Sequence, residues 1–106
     1  MADQKKTRRQ LLEEFLAKKP GDPFSLYGLA LECSKTGDIS AADTHFRTLN
    51  DQHPDYIPAY LMYAQMLARE SRSVDAQQVL SKGIGEAAKK GDAHARSEME
   101  ALLSEL

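Results

Sequence analysis

Two stretches, Leu26-Tyr27-Gly28-Leu29-Ala30-Leu31-Glu32-Cys33 and Tyr60-Leu61-Met62-Tyr63-Ala64-Gln65-Met66-Leu67, lie 34 residues apart and decide the fold. Within each, apolar residues recur three and four apart, the spacing that lines one face of an α-helix. Between them residue class is kept. Leu26 maps to Tyr60, Leu29 to Tyr63, Ala30 to Ala64 and Cys33 to Leu67. The same offset carries Ala42 to Ala76, Phe46 to Leu80 and Leu49 to Gly83, and runs back from Phe46 to Leu12 and from Pro54 to Pro20.

Outward from these stretches, helix stops and starts divide the chain. Leu11, Leu12, Phe15 and Leu16 recur at helical spacing over 7–19, with Thr7 and Gln10 placed for a capping box. Lys19-Pro20-Gly21-Asp22-Pro23 cannot continue that helix. Asp22 caps a second helix with Pro23 in its first turn, and Gly37 ends it in a left-handed cap. A third helix follows Ser40 and runs to about Asp51. Pro58 opens a fourth, reaching about Glu70, and a fifth runs from near Ser73 to about Lys89. Gly91 ends the fifth, and Asp92 caps a sixth. No segment alternates as a strand would. Loops this short make successive helices antiparallel neighbours.

Small residues at Ala30, Ala42, Ala64 and Ala76 let two helices approach closely. Leu26, Leu29, Phe46, Tyr60, Tyr63 and Leu80 fill the space between helices. A single pair cannot bury its apolar faces, so pairs must stack. Ala95, Met99, Leu102, Leu103 and Leu106 make one face of the last helix, and Arg96, Glu98, Glu100 and Glu105 the other, as suits a terminal cap.

The pattern Leu26-x2-Leu29-Ala30-x2-Cys33, then Ala42, Phe46 and Pro54, and its copy Tyr60-x2-Tyr63-Ala64-x2-Leu67, then Ala76 and Leu80, resembles the tetratricopeptide repeat. Gly37-Asp38-Ile39 looks like the turn between the two helices of such a repeat. The departures are alanine for the family's glycine in both copies, Leu or Tyr in its Trp slot, and Ala88 for the closing proline of the second copy. Without that proline the fifth helix is expected to outlast the third. The resemblance implies an all-α fold, a right-handed α-α superhelix of about six antiparallel helices. Residues 1–6 would be a flexible N-terminus and 7–106 one domain: a leading helix (7–19), two repeats (23–54 and 57–89) and a capping helix (92–105).

Composition narrows the function. A net charge of -2 gives no whole-molecule attraction to nucleic acid or to an anionic membrane, so neither is expected as a partner. One cysteine, Cys33, allows no internal disulfide and suits a reducing, cytoplasmic setting. No apolar run of signal-peptide or membrane-spanning length is present. His45, His53 and His94 lack metal-ligand spacing, and Cys33 sits in a core slot, so no metal or cofactor is expected. Gly83-Ile84-Gly85 falls inside a helix with no strand before it, which argues for close helix packing and against phosphate binding. Lys5, Lys6, Arg8 and Arg9 read as a solvated helix start, since Glu13 and Glu14 follow. The carboxylates are scattered, and no nucleophile, base and orienting group come together, so no enzyme is expected.

The second helix is apolar nearly all round: beyond its core slots it carries Phe24, Tyr27, Gly28 and Leu31. The fourth continues the extra stripe with Leu61 and Met62, then Gln65 and Arg69. The resemblance implies a concave, peptide-binding groove lined by these helices. Tyr27, Leu31, Leu61, Gln65 and Arg69 would face it, with Phe24 and Met62 at its margins. The alternative is that the stripe packs on Leu11, Leu12, Phe15 and Leu16 of the leading helix. Some family members grip a terminal carboxylate through asparagines, but Gly28 and Met62 stand in those slots here. The expected function is a protein-interaction scaffold that binds a peptide or partner protein in the groove. The other reading is a structural module that self-associates, as a homodimer, through the groove or the end of the stack.

Overall fold

The computed structural model describes residues 5–106. Six helices follow in order: α1 (Arg8–Lys18), α2 (Pro23–Thr36), α3 (Ile39–Gln52), α4 (Pro58–Arg69), α5 (Ser73–Lys90) and α6 (Ala93–Ser104). No strand occurs among the described residues, so the fold is all-α. The flexible segment expected at 1–6 falls mostly outside the described residues.

The boundaries follow from cap chemistry. The Thr7 hydroxyl accepts from the Gln10 backbone N–H at 3.1 Å, and the Gln10 amide oxygen accepts from the Thr7 N–H at 2.8 Å. The Asp22 carboxylate accepts from the Ser25 N–H at 3.0 Å and from its hydroxyl at 2.9 Å, which satisfies the open N-terminus of α2. Gly37 closes α2 at φ 87°. Asp92 accepts from the Ala95 N–H at 3.0 Å to start α6. The third helix begins at Ile39, ahead of the expected Ser40, because Asp38 caps it through the Ala41 N–H at 3.3 Å. α5 spans 18 residues against 14 for α3; with Ala88 in place of a proline, nothing stops it before Gly91.

The helices group into two units, Met1–Gln52 and His53–Leu106. In the first, α2 packs against α3 on one side and α1 on the other. Leu26, Leu29, Ala30 and Cys33 of α2 are buried, as are Ala42, Phe46 and Leu49 of α3 and Leu12 of α1. Each fully buried Leu or Phe contributes about 1.5–3 kcal/mol by leaving water. Gly28 sets the distance to α1: a Cβ there would stand 3.1 Å from both Leu12 methyl carbons. Arg9 ties α1 to the turn between α2 and α3, donating to Asp38 at 2.9 Å, and also donates to Glu13 of its own helix at 3.3 Å.

In the second unit α5 packs against both α4 and α6, and α4 touches α6. Tyr60, Tyr63, Ala64, Met66, Leu67, Ala76, Leu80, Ala87 and Met99 are buried. The Tyr60 hydroxyl donates to the Pro54 carbonyl at 2.7 Å, so its polar tip is satisfied. Gly83 is the tightest point. A Cβ there would lie 2.5 Å from Tyr60 Cβ and 2.6 Å from Met99 Sδ, so three helices converge where only a hydrogen fits.

Candidate functional site

The surface helices carry the candidate residues on defined faces. On α2, Phe24, Tyr27 and Leu31 fall within an arc of about 60°, since each residue advances about 100°. The opposite face is committed to α3. Tyr27 and Leu31 are half-buried, whereas Phe24 is 67% exposed. On α4, Leu61, Met62, Gln65 and Arg69 share an arc of about 100°. The first three are half-buried and Arg69 is exposed. The α2 face is thus mainly apolar, and the α4 face joins the apolar Leu61 and Met62 to the polar Gln65 and Arg69. The seven candidate residues stand on two helices, one in each unit.

Packing of α1 divides the α2 stripe. Leu12 is buried and lies over Gly28, and Leu16 is half-buried, so part of the stripe is taken up by the leading helix. Leu11 and Phe15 are not covered: they are 45% and 58% exposed. Phe24 and Phe15 line a cleft of about 390 Å³ together with Lys18, Lys19, Asp22 and Ser25. Phe24 thus belongs to an aromatic cleft between α1 and α2 as well as to the face it shares with Tyr27 and Leu31.

That exposure had a signal in the sequence. Leu11, Leu12, Phe15 and Leu16 span an apolar arc of about 140°, wider than contact with one neighbouring helix covers. The interior position of Met66, by contrast, had no such signal.

Burial pushes the Cys33 thiol up, which keeps it protonated and inert. Asp38 is held below the usual carboxylate range by its hydrogen bonds from Arg9 and the Ala41 N–H. Burial, then the nearby Arg9 charge, pushes His45 down. His94 is exposed and faces Glu98 at 3.2 Å. Among the described residues no three His, Cys, Asp or Glu side chains are grouped to hold a metal ion. None of the described helices is long and apolar enough to cross a membrane.

No protein-family model and no curated protein matches the chain. A solved structure does: the solution structure of protein BPP2914 from Bordetella parapertussis, a structural genomics target. It is similar at a TM-score of 0.79 and 22% identity, over 95% of this chain and 88% of that one. At that identity the likeness concerns the fold alone.

Proposed function

We propose that this chain is a tetratricopeptide-type interaction module of the cytoplasm that holds a segment of another protein. Each unit offers such a segment a face of its own, on α2 in the first and on α4 in the second. One observation carries the reading: both helices keep apolar surface after their core faces are filled. Tyr27 and Leu31 on α2 and Leu61 and Met62 on α4 are only partly covered, and Phe24 is largely exposed. A surface helix with no partner would be polar there, and exposed apolar patches mark interaction sites. The partner segment would present apolar side chains to these residues and a carboxylate to the exposed Arg69. The module performs no chemistry in this reading; it positions its partner.

The test is a photo-reactive amino acid placed at position 27 or 61, with the crosslinked partner identified by mass spectrometry. The identified segment is then titrated against the Tyr27→Asp/Leu61→Asp double variant. Loss of binding with unchanged helicity supports the reading. Full binding by a double variant of unchanged helicity removes it.

A further inference from the structure

Four large apolar side chains are exposed among the described residues, and two of them stand on one cleft. Of the three phenylalanines, Phe46 is buried, whereas Phe15 and Phe24 are largely exposed. Both line the cleft of about 390 Å³ between α1 and α2, inside the first unit. The core of that unit closes without either ring: Leu12, Leu26, Leu29, Phe46 and Leu49 are all buried. Leu11, also exposed, lies one turn before Phe15 on the same face of α1. It prolongs the apolar surface by about 6 Å along the helix.

The cleft also carries charge, mostly of one sign. Lys18 and Lys19, where α1 ends, line it and are exposed. The anion on its wall is Asp22, whose carboxylate accepts from the Ser25 N–H and hydroxyl. Asp22 is thereby committed to the positive N-terminus of α2. Two exposed cations thus stand beside one carboxylate that is already engaged. Their order along α1 is fixed: Lys18 and Lys19 follow Phe15 by three and four residues, about 5–6 Å further along the helix. The cleft therefore offers aromatic surface with positive charge on one side of it. Its volume is near the lower end of the about 300–1,000 Å³ typical of ligand sites, which suits a single anchoring side chain. The track over Leu11 beyond it suits a peptide, which can follow a helix face.

The geometry points to a second binding site, on α1 and the start of α2, for an acidic peptide segment. An aromatic or large aliphatic side chain of the segment enters between Phe15 and Phe24, and the carboxylates that follow it meet Lys18 and Lys19. Ring contacts supply the anchor, and the charge pairs fix the direction in which the segment lies. The site uses neither Tyr27, Leu61 nor Arg69, so it stands or falls apart from the faces of α2 and α4.

The probe is the peptide acetyl-Leu-Phe-Asp-Asp-amide, titrated into the full chain and followed through backbone amide shifts by two-dimensional NMR. Acetyl-Leu-Phe-Lys-Lys-amide is the control. Saturable shifts centred on residues 15–25, with a dissociation constant of about 1 mM, are expected for the acidic peptide. Lys18→Glu/Lys19→Glu should weaken its binding about tenfold, because attraction becomes repulsion, and high salt should weaken it too. Phe15→Ser should weaken both peptides. The three side chains are exposed, so circular dichroism should not change. The Tyr27→Asp/Leu61→Asp variant should bind the acidic peptide like the wild type. Absence of saturable shifts up to about 10 mM peptide overturns the proposal. So does equal binding of the lysine peptide, or undiminished binding by Lys18→Glu/Lys19→Glu. Loss of binding in Tyr27→Asp/Leu61→Asp also overturns it, since the peptide would then lie on the faces of α2 and α4.

Discussion

Two turns occupy equivalent places in the two units, and they reach one shape with different residues. Between α2 and α3 the chain passes through Gly37 at φ 87° and Asp38; between α4 and α5 it passes through Ser71 at φ 61° and Arg72. The closing bonds match: the Asp38 N–H donates to the Cys33 carbonyl at 2.9 Å, and the Arg72 N–H to the Leu67 carbonyl at 2.8 Å. In the first turn the residues favour this shape, since glycine accepts the left-handed region freely and Asp38 caps the next helix. In the second neither advantage is present, and serine is held in a region that costs a side-chain-bearing residue about 1 kcal/mol. Packing of the flanking helices imposes the turn, and local preference only eases it.

The units differ more at the slot shared by Phe15, Leu49 and Gly83. It is largely exposed at the edge of a cleft in α1, sealed core in α3, and a three-helix crossing with no room for a side chain in α5. The same repeat position therefore carries three different energies. Leu49→Ala is expected to destabilise by about 3 kcal/mol in chemical denaturation, whereas Phe15→Ala stays within about 0.5 kcal/mol of wild type. Equal costs would erase the distinction between a filled and an unfilled slot.

Gly83→Ala comes next. Its Cβ would press on Tyr60 and Met99, and overpacking should cost about 2 kcal/mol although alanine is the better helix former. A stabilised Gly83→Ala protein would show that α5 can withdraw from its neighbours.

Exchanging the turn residues gives smaller effects of opposite sign. Ser71→Gly should stabilise the second unit, and Gly37→Ser destabilise the first, each by about 1 kcal/mol. The same sign for both would show that the turns are not equivalent.

The smallest effect is confined to the first unit. His45 binds its proton less readily when folded, so the unfolded chain takes up the proton first as pH falls below about 6.5. Its contribution is present above that value and is lost toward lower pH. Arg9, Glu13 and Asp38 are the charges around it. In His45→Gln the slope of stability between about pH 7 and 5 should be shallower.

Much of this architecture was legible along the chain. The recurrence of Leu29, Phe46, Tyr63 and Leu80, and the stops at Pro20, Gly37 and Gly91, identify six helices, because apolar spacing and cap chemistry are local. The apolar excess of α2 was legible too, as Phe24, Tyr27, Gly28 and Leu31. Its division was not. Which of those residues lie under α1 depends on where Leu12 lands, and that depends on the absence of a side chain at Gly28.

Amino-acid order by itself determined the helix class, the boundaries and the repeat spacing, since these rest on contacts a few residues apart and on glycine and proline stereochemistry. Only tertiary structure decided that Phe15 stays largely exposed while Leu49 is sealed, that Gly83 has no room for a methyl, and that Ser71 turns left-handed. Each of these depends on how closely whole helices approach, and that distance is set jointly by side chains far apart in the chain.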